Sequence, residues 1–345
     1  MTSTIRRAAG PGIAAWMAML LAAHAAAAEP VDAPVSYEQA KQLCTIACEA
    51  LRESSGLACG RANSGVFWTH NDSGSQPLIY AFNSAGEVLG IFKVAGAAER
   101  DWEDMASVAV GRNGYLLIAD VGDNNAQRKD CTLYLVAEPV LKPRRPAKQP
   151  KPGPAVLRSA PPPETQHTKP CESVKFTYED GPRNCEAAAI DAQTLKIYLV
   201  SKEGGPACKV YEVPGPKEWK LKRPLVAKAI AEIKVPTVSG MDISPDGRRA
   251  LICTYGNAWE FTRKEGESWK DAFARQPREI PMPARPQGES ICYGPDGRSI
   301  YLTSEVPAII KADTPFYEVP AKKDESEQKT EEKEGEERTE KDKGE

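Results

Sequence analysis

The sequence predicts an all-β protein assembled from repeated four-stranded antiparallel sheets. Three observations lead there: one block of residues recurs along the chain, its segments alternate β-branched or aromatic residues with polar ones, and turns rich in Gly and Asp separate them.

The recurring block is clearest in DWEDMASVAVGRNGYLLIADVGD, which starts at Asp101. NCEAAAIDAQTLKIYLVSKEG starts at Asn184, SGMDISPDGRRALICTYGN at Ser239, QGESICYGPDGRSIYLTSEV at Gln287, and a degenerate copy, SSGLACGRANSGVFWTHNDSG, at Ser54. Each reads as a short strand of small or apolar residues, a turn, and a second strand. Third strands follow as LIYAF from Leu78, TLYLV from Thr132, KVYEV from Lys209 and PFYEV from Pro315. EVLGIFKVAG from Glu87, SVKFTY from Ser173 and AIAEIKVP from Ala229 supply fourth strands. One such sheet cannot bury both of its faces, whereas copies stacked around an axis can, and that arrangement is a β-propeller. Five repeats are readable over residues 54–320, with room for a sixth, irregular blade.

The second repeat is stretched by residues 142–170, where nine prolines and seven Lys or Arg accompany a single glutamate, the composition of an extended basic loop. The fifth repeat runs short of a fourth strand. Residues 29–53 could supply it and close the ring, although YEQAKQLCTIACEALRE also carries a helical stripe of Leu43, Ile46, Ala47 and Leu51. Residues 1–28 read as a signal peptide, with Arg6 and Arg7 ahead of an apolar run that ends in small residues, so the expected location is the periplasm or the extracellular space. No later stretch is apolar enough to span a membrane. Nine cysteines fit export, and disulfides are expected over metal thiolates because no C-x-x-C pair occurs. Residues 321–345 carry charge without anchoring apolar residues and read as a disordered tail.

Several chemistries find no motif. There is no G-x-S-x-G elbow, Walker loop or dinucleotide fingerprint, and the basic loop lacks the interleaved aromatics of a nucleic-acid surface. Carboxylates do form a pattern. Aligned on apolar residues, the repeats bring Glu103, Glu186 and Glu289 to one position, with Gly56 and Met241 there in the other two, and Asp104 and Asp242 to the next. On innermost strands those glutamates would meet near the axis, where their repulsion requires a cation, a basic side chain or a shared proton. A second polar set ends the second strands: His70, Asn71 and Asp72; Asp120, Asp123 and Asn124; Lys202 and Glu203; Tyr255 and Asn257; Ser304 and Glu305. Antiparallel pairing puts both sets on one face, and such oxygens are hard ligands of the kind Ca2+ prefers. Asx turns account for Asn71 and Asp72 equally well, and strand-end capping accounts for much of the rest.

WEDMA, CEAAAID and GESICYGPDG, each followed by a strand like SIYLTSE, resemble the phytase-like and esterase-like β-propeller superfamily. The ordered NDSG, DWED, GDN and QGE signatures are also similar to those of a group of exported bacterial propeller proteins. The resemblance covers about residues 54–318. It implies that Glu103, Glu186 and Glu289 are metal or ligand carboxylates, with Asp120, Asp123 and Glu305 as supplements. Two departures stand out: Gly56 replaces an expected acid, and no dense Lys and Arg run matches a phytate pocket.

The resulting expectation is an exported propeller whose funnel binds Ca2+ and a small or peptide ligand, with His70, Asp72, Asn124, Tyr255 and Glu305 as further ligand contacts. The alternatives are a metal-dependent phosphoesterase, esterase or lactonase using Glu103 or Glu186 as base, and a metal-free scaffold.

Overall fold

The computed structural model of the protein describes residues 34–141, 163–220, 223–306 and 313–322. The expected signal peptide, residues 142–162 of the basic loop and residues 323–345 of the tail lie outside the described residues. The fold is all-β.

Strand β1 (Lys41–Ile46) comes first in the chain but joins the last sheet. β2 (Ser54–Cys59), β3 (Val66–Asn71), β4 (Leu78–Asn83) and β5 (Val88–Lys93) form an antiparallel meander. β6 (Trp102–Val110), β7 (Asn113–Asp120) and β8 (Cys131–Ala137) start a second; β9 (Thr165–His167) then pairs in parallel with β5, and β10 (Glu172–Tyr178) completes the second meander. β11 (Cys185–Ile190), β12 (Ile197–Ser201), β13 (Cys208–Val213) and β14 (Leu225–Ile233) form a third, with helix α1 (Pro216–Trp219) before its last strand. β15 (Val238–Ile243), β16 (Arg249–Thr254), β17 (Ala258–Thr262) and β18 (Arg278–Ile280) form the fourth, which carries helix α2 (Trp269–Phe273). β19 (Ile291–Tyr293), β20 (Ile300–Leu302) and β21 (Thr314–Val319) make the fifth and take β1 as their outer strand, Lys41 opposite Glu318 and Ile46 opposite Thr314. The segment with the helical stripe is thus a strand here, because the open edge of β21 offers backbone partners that a short isolated helix lacks. A parallel contact between β10 and β14 merges the second and third meanders into one 8-stranded sheet.

The first strands of the meanders lie side by side in a circuit: β2 beside β6, β6 beside β11, β11 beside β15, β15 beside β19, and β19 beside β2. Small residues permit that approach. A Cβ on Gly56 would come within 2.6 Å of the Met105 amide nitrogen, and one on Gly240 within 2.4 Å of the Glu289 carbonyl oxygen. Between the sheets the core is apolar and aromatic, with Trp68, Trp102 and Trp269 fully buried and Trp259 packed at the edge of the same cluster as Trp269.

All nine cysteines are free, which corrects the expectation of disulfides. The thiols pack in the apolar core as small hydrophobes; seven are buried, and only Cys44 and Cys171 are partly exposed.

Two buried carboxylates tie neighbouring first strands together. Asp104 of β6 accepts hydrogen bonds from its neighbour Met105 N–H (2.8 Å), from Ala188 N–H of β11 (2.8 Å) and from Met241 N–H of β15 (3.0 Å). Asp242 of β15 accepts from Ile243 N–H and from Tyr293 N–H of β19, both at 2.8 Å. Burial pushes both carboxyls upward, and the amide donors pull them back. Asp104→Asn keeps the shape but turns an NH2 group toward amide donors. It is expected to lower unfolding stability by about 2–4 kcal/mol in urea melts, whereas a role confined to surface charge predicts no change.

Candidate metal centre

In four meanders the pairing of the first and second strands slips by one residue at the same point, leaving Ser55, Glu103, Glu186 and Ser239 as the extra residues. In the fifth, the register shifts between Gln287 opposite Glu305 and Ile291 opposite Leu302, a stretch that contains Glu289. Such bulges free a residue from the ladder and re-aim its side chain. The register also corrects the sequence alignment. Glu103 and Glu186 correspond to Ser55 and Ser239, not to Gly56 and Met241, and Asp242 lies two residues deeper than the position of Asp104.

The bulges open where the second strands end, so the two polar sets share one face. Asp72, Asp101 and Glu103 each present a carboxylate oxygen there, and these atoms lie within 4.8 Å of one another. Gly122 forms the floor: a Cβ at this residue would sit 2.0 Å from Glu103 Oε1 and 2.5 Å from Asp101 Oδ2. The Glu103 carboxyl lies close to that of Glu186, and the two charges act on each other. Burial first, then the charges of Glu186, Asp72 and Asp101, hold Glu103 well above the usual carboxylate range.

Glu186 is the better-partnered member of that pair. It ion-pairs with Lys202 Nζ at 3.2 Å and accepts from Asn184 Nδ2 at 2.9 Å. Lys202 in turn donates to Tyr255 Oη at 2.6 Å. Across the same mouth, Gln287 Nε2 bridges Glu289 Oε1 (2.8 Å) and Glu305 Oε2 (2.6 Å), with Ser55 Oγ at 3.4 and 3.5 Å from these two carboxylates. Burial and the adjacent Glu289 raise the Glu305 carboxyl to about 9. Asp72 rises to about 6 through burial and its neighbours Asp101, Glu289 and Glu186, against the pull of the Ser73 amide at 2.5 Å. Among the described residues, no salt bridge reaches Asp72, Asp101, Glu103, Glu289 or Glu305.

The remaining expected site residues are engaged elsewhere. Asp120 forms a buried ion pair with Arg128 (2.7 Å), and Asp123 Oδ2 accepts the Arg128 amide (2.7 Å), so both fold the loop after β7 around that arginine instead of joining the carboxylate trio. Asn124 Oδ1 accepts from Asn184 Nδ2 at 3.2 Å. His70 is fully buried; its Nδ1 meets the Asn71 carbonyl at 2.8 Å, its ring stands edge-on to Trp102, and burial lowers it to about 4, which keeps it neutral. Tyr255 stays 40% exposed at the rim, where a ligand can reach it. The sequence draws attention to Asp101 beside Glu103 and Asp104, but the expected site residues left out Asp101, Gly122, Asn184 and Gln287. Asp101 had a signal, since it stands two residues before Glu103 at the start of a strand, but its partnership with Asp72 is tertiary.

Comparison with models of known protein families and with curated proteins finds no match to this chain.

The raised carboxyls set a direction for pH dependence. Between the ordinary value of 4.5 and about 9 the folded state holds a Glu305 proton that the unfolded chain has lost, so this group's contribution is greatest below pH 4.5 and declines as pH rises; Asp72 adds the same trend between 3.8 and about 6. In chelator, the melting temperature is expected to fall from pH 5 to pH 9, and Glu305→Gln to flatten the limb above pH 6. A wild-type limb that rises with pH, or one unaltered by the substitution, contradicts the assignment.

Proposed function

We propose that the five meanders are the blades of a five-bladed propeller closed by β1, and that the acidic mouth of its funnel binds a divalent cation, Ca2+, together with a small or peptide ligand. The observation that carries the reading is the convergence of Asp72, Asp101 and Glu103 within 4.8 Å, none of them in a salt bridge among the described residues and only Asp101 near a basic side chain, that of Arg128, which is already paired with Asp120. Oxygens so spaced suit an ion that takes ligands at about 2.3–2.6 Å in flexible geometry. The Gly122 floor supports the same reading, since any side chain there would fill the space between the two carboxylates.

In this reading Asp72, Asp101 and Glu103 hold the ion, which relieves their mutual repulsion and supplies a Lewis acid at the mouth. Glu186, ion-paired with Lys202 and bonded by Asn184, adds its charge beside Glu103 and so strengthens the demand for a cation. Tyr255 and Lys202 form the polar rim that meets the ligand. Residues 1–28 favour an exported protein, and millimolar extracellular calcium suits a weak, loop-built site. The neighbouring Glu103 and Glu186, both raised above the usual carboxylate range by burial, favour a second reading, hydrolysis of an ester or phosphoester in which Glu186 takes a proton from water and Glu103 returns one to the leaving group.

Calcium at a hundred times its dissociation constant is expected to stabilise the native state by about 2.7 kcal/mol, read as a higher melting temperature than in chelator. Asp101→Asn with Glu103→Gln, and separately Gly122→Ala, are expected to abolish that shift. Equal shifts in the wild type and these variants would remove the site. Turnover of aryl phosphates or aryl esters that disappears in Glu186→Gln would establish the second reading.

A further inference from the structure

β9 is the one described strand added to a completed four-stranded meander. It lies in parallel register along the outer edge of β5, with Thr165 opposite Ile91, Gln166 opposite Phe92 and His167 opposite Lys93. All three of its side chains are exposed, so nothing but backbone holds the strand itself. Just beyond it, a small clasp is better built. Thr168 N–H donates to the Lys93 carbonyl at 3.0 Å, Ala95 N–H donates to Thr168 Oγ1 at 3.0 Å, and Cys171 N–H donates to the Ala95 carbonyl at 2.9 Å. Thr168 is buried although its neighbours on both sides are exposed.

We infer that the outer edge of β5 is a strand-docking surface, which the chain fills with residues 165–168 of its own insertion, and that Thr168 is the clasp that fastens it. The physical grounds are the shortness of the pairing, the lower stability of parallel ladders, and the absence of side-chain anchoring in β9. An uncovered edge presents unpaired amides and carbonyls to any extended segment, so an occupant is needed, and the occupant read here is a short polar strand flanked by prolines. Displacement of β9 leaves the four-stranded meander behind it intact, which makes release a local event.

Amide exchange followed by mass spectrometry on the full chain tests this. Thr168→Ala is expected to speed exchange of residues 91–95 and 165–168 about tenfold, the scale of one lost hydrogen bond, while residues 172–178 and the melting temperature hold steady. Thr168→Ser, which keeps the hydroxyl, is expected to retain wild-type protection. Adding a synthetic peptide of residues 163–170 to the Thr168→Ala protein is expected to restore protection at residues 91–95. Unchanged exchange in Thr168→Ala, acceleration across all five meanders together, or no protection by the peptide would each overturn the inference.

Discussion

The mouth of the molecule is governed by like charges in confinement. Five first strands packed in a circuit leave their starting residues facing one another, and Glu103, Glu186 and Glu289 are each at most 5% exposed there. Carboxylates so enclosed cannot all ionise without partners. The surrounding polar side chains can be understood as different answers to that one constraint.

Three answers coexist. Asp104 and Asp242, deepest of all, are satisfied by backbone amides and so double as ties between sheets. Glu186 has a tethered cation, Lys202, while Glu289 and Glu305 share the two donors of the Gln287 amide. Asp72, Asp101 and Glu103 form no salt bridge among the described residues; Asp72 has its neighbour's amide and Asp101 the more distant charge of Arg128, which leaves the trio with capacity for a proton or an external cation. The division matters chemically, because it separates carboxylates that maintain the fold from those with capacity left for a ligand.

The same logic holds at the outer edges. β21 is covered by β1, β10 by β14, and β5 by β9, so three sheet edges that would otherwise expose unpaired backbone are closed by the chain itself. These coverings differ in strength. β1 and β14 bring buried side chains, Ile46 and Leu225 among them, whereas β9 brings none. Main-chain pairing without burial makes an easily reversed contact, and it is confined here to the end of a Pro-rich insertion.

The all-β class, the recurring strand pairs and the shared face of the two polar sets are legible in the residues, because alternation and turn chemistry are local properties written every few residues. The sequence also marked Glu103 and Glu186, whose bulges recur at equivalent points of their repeats. Tertiary structure alone decided that Lys41–Ile46 is a strand, that Asp120 and Asp123 serve Arg128, that nine thiols stay free, and that Asp101 joins Asp72 and Glu103 over Gly122. Each of those outcomes depends on a partner far along the chain, or on a single extra residue in a ladder, and neither leaves a periodic trace in the residues that carry it.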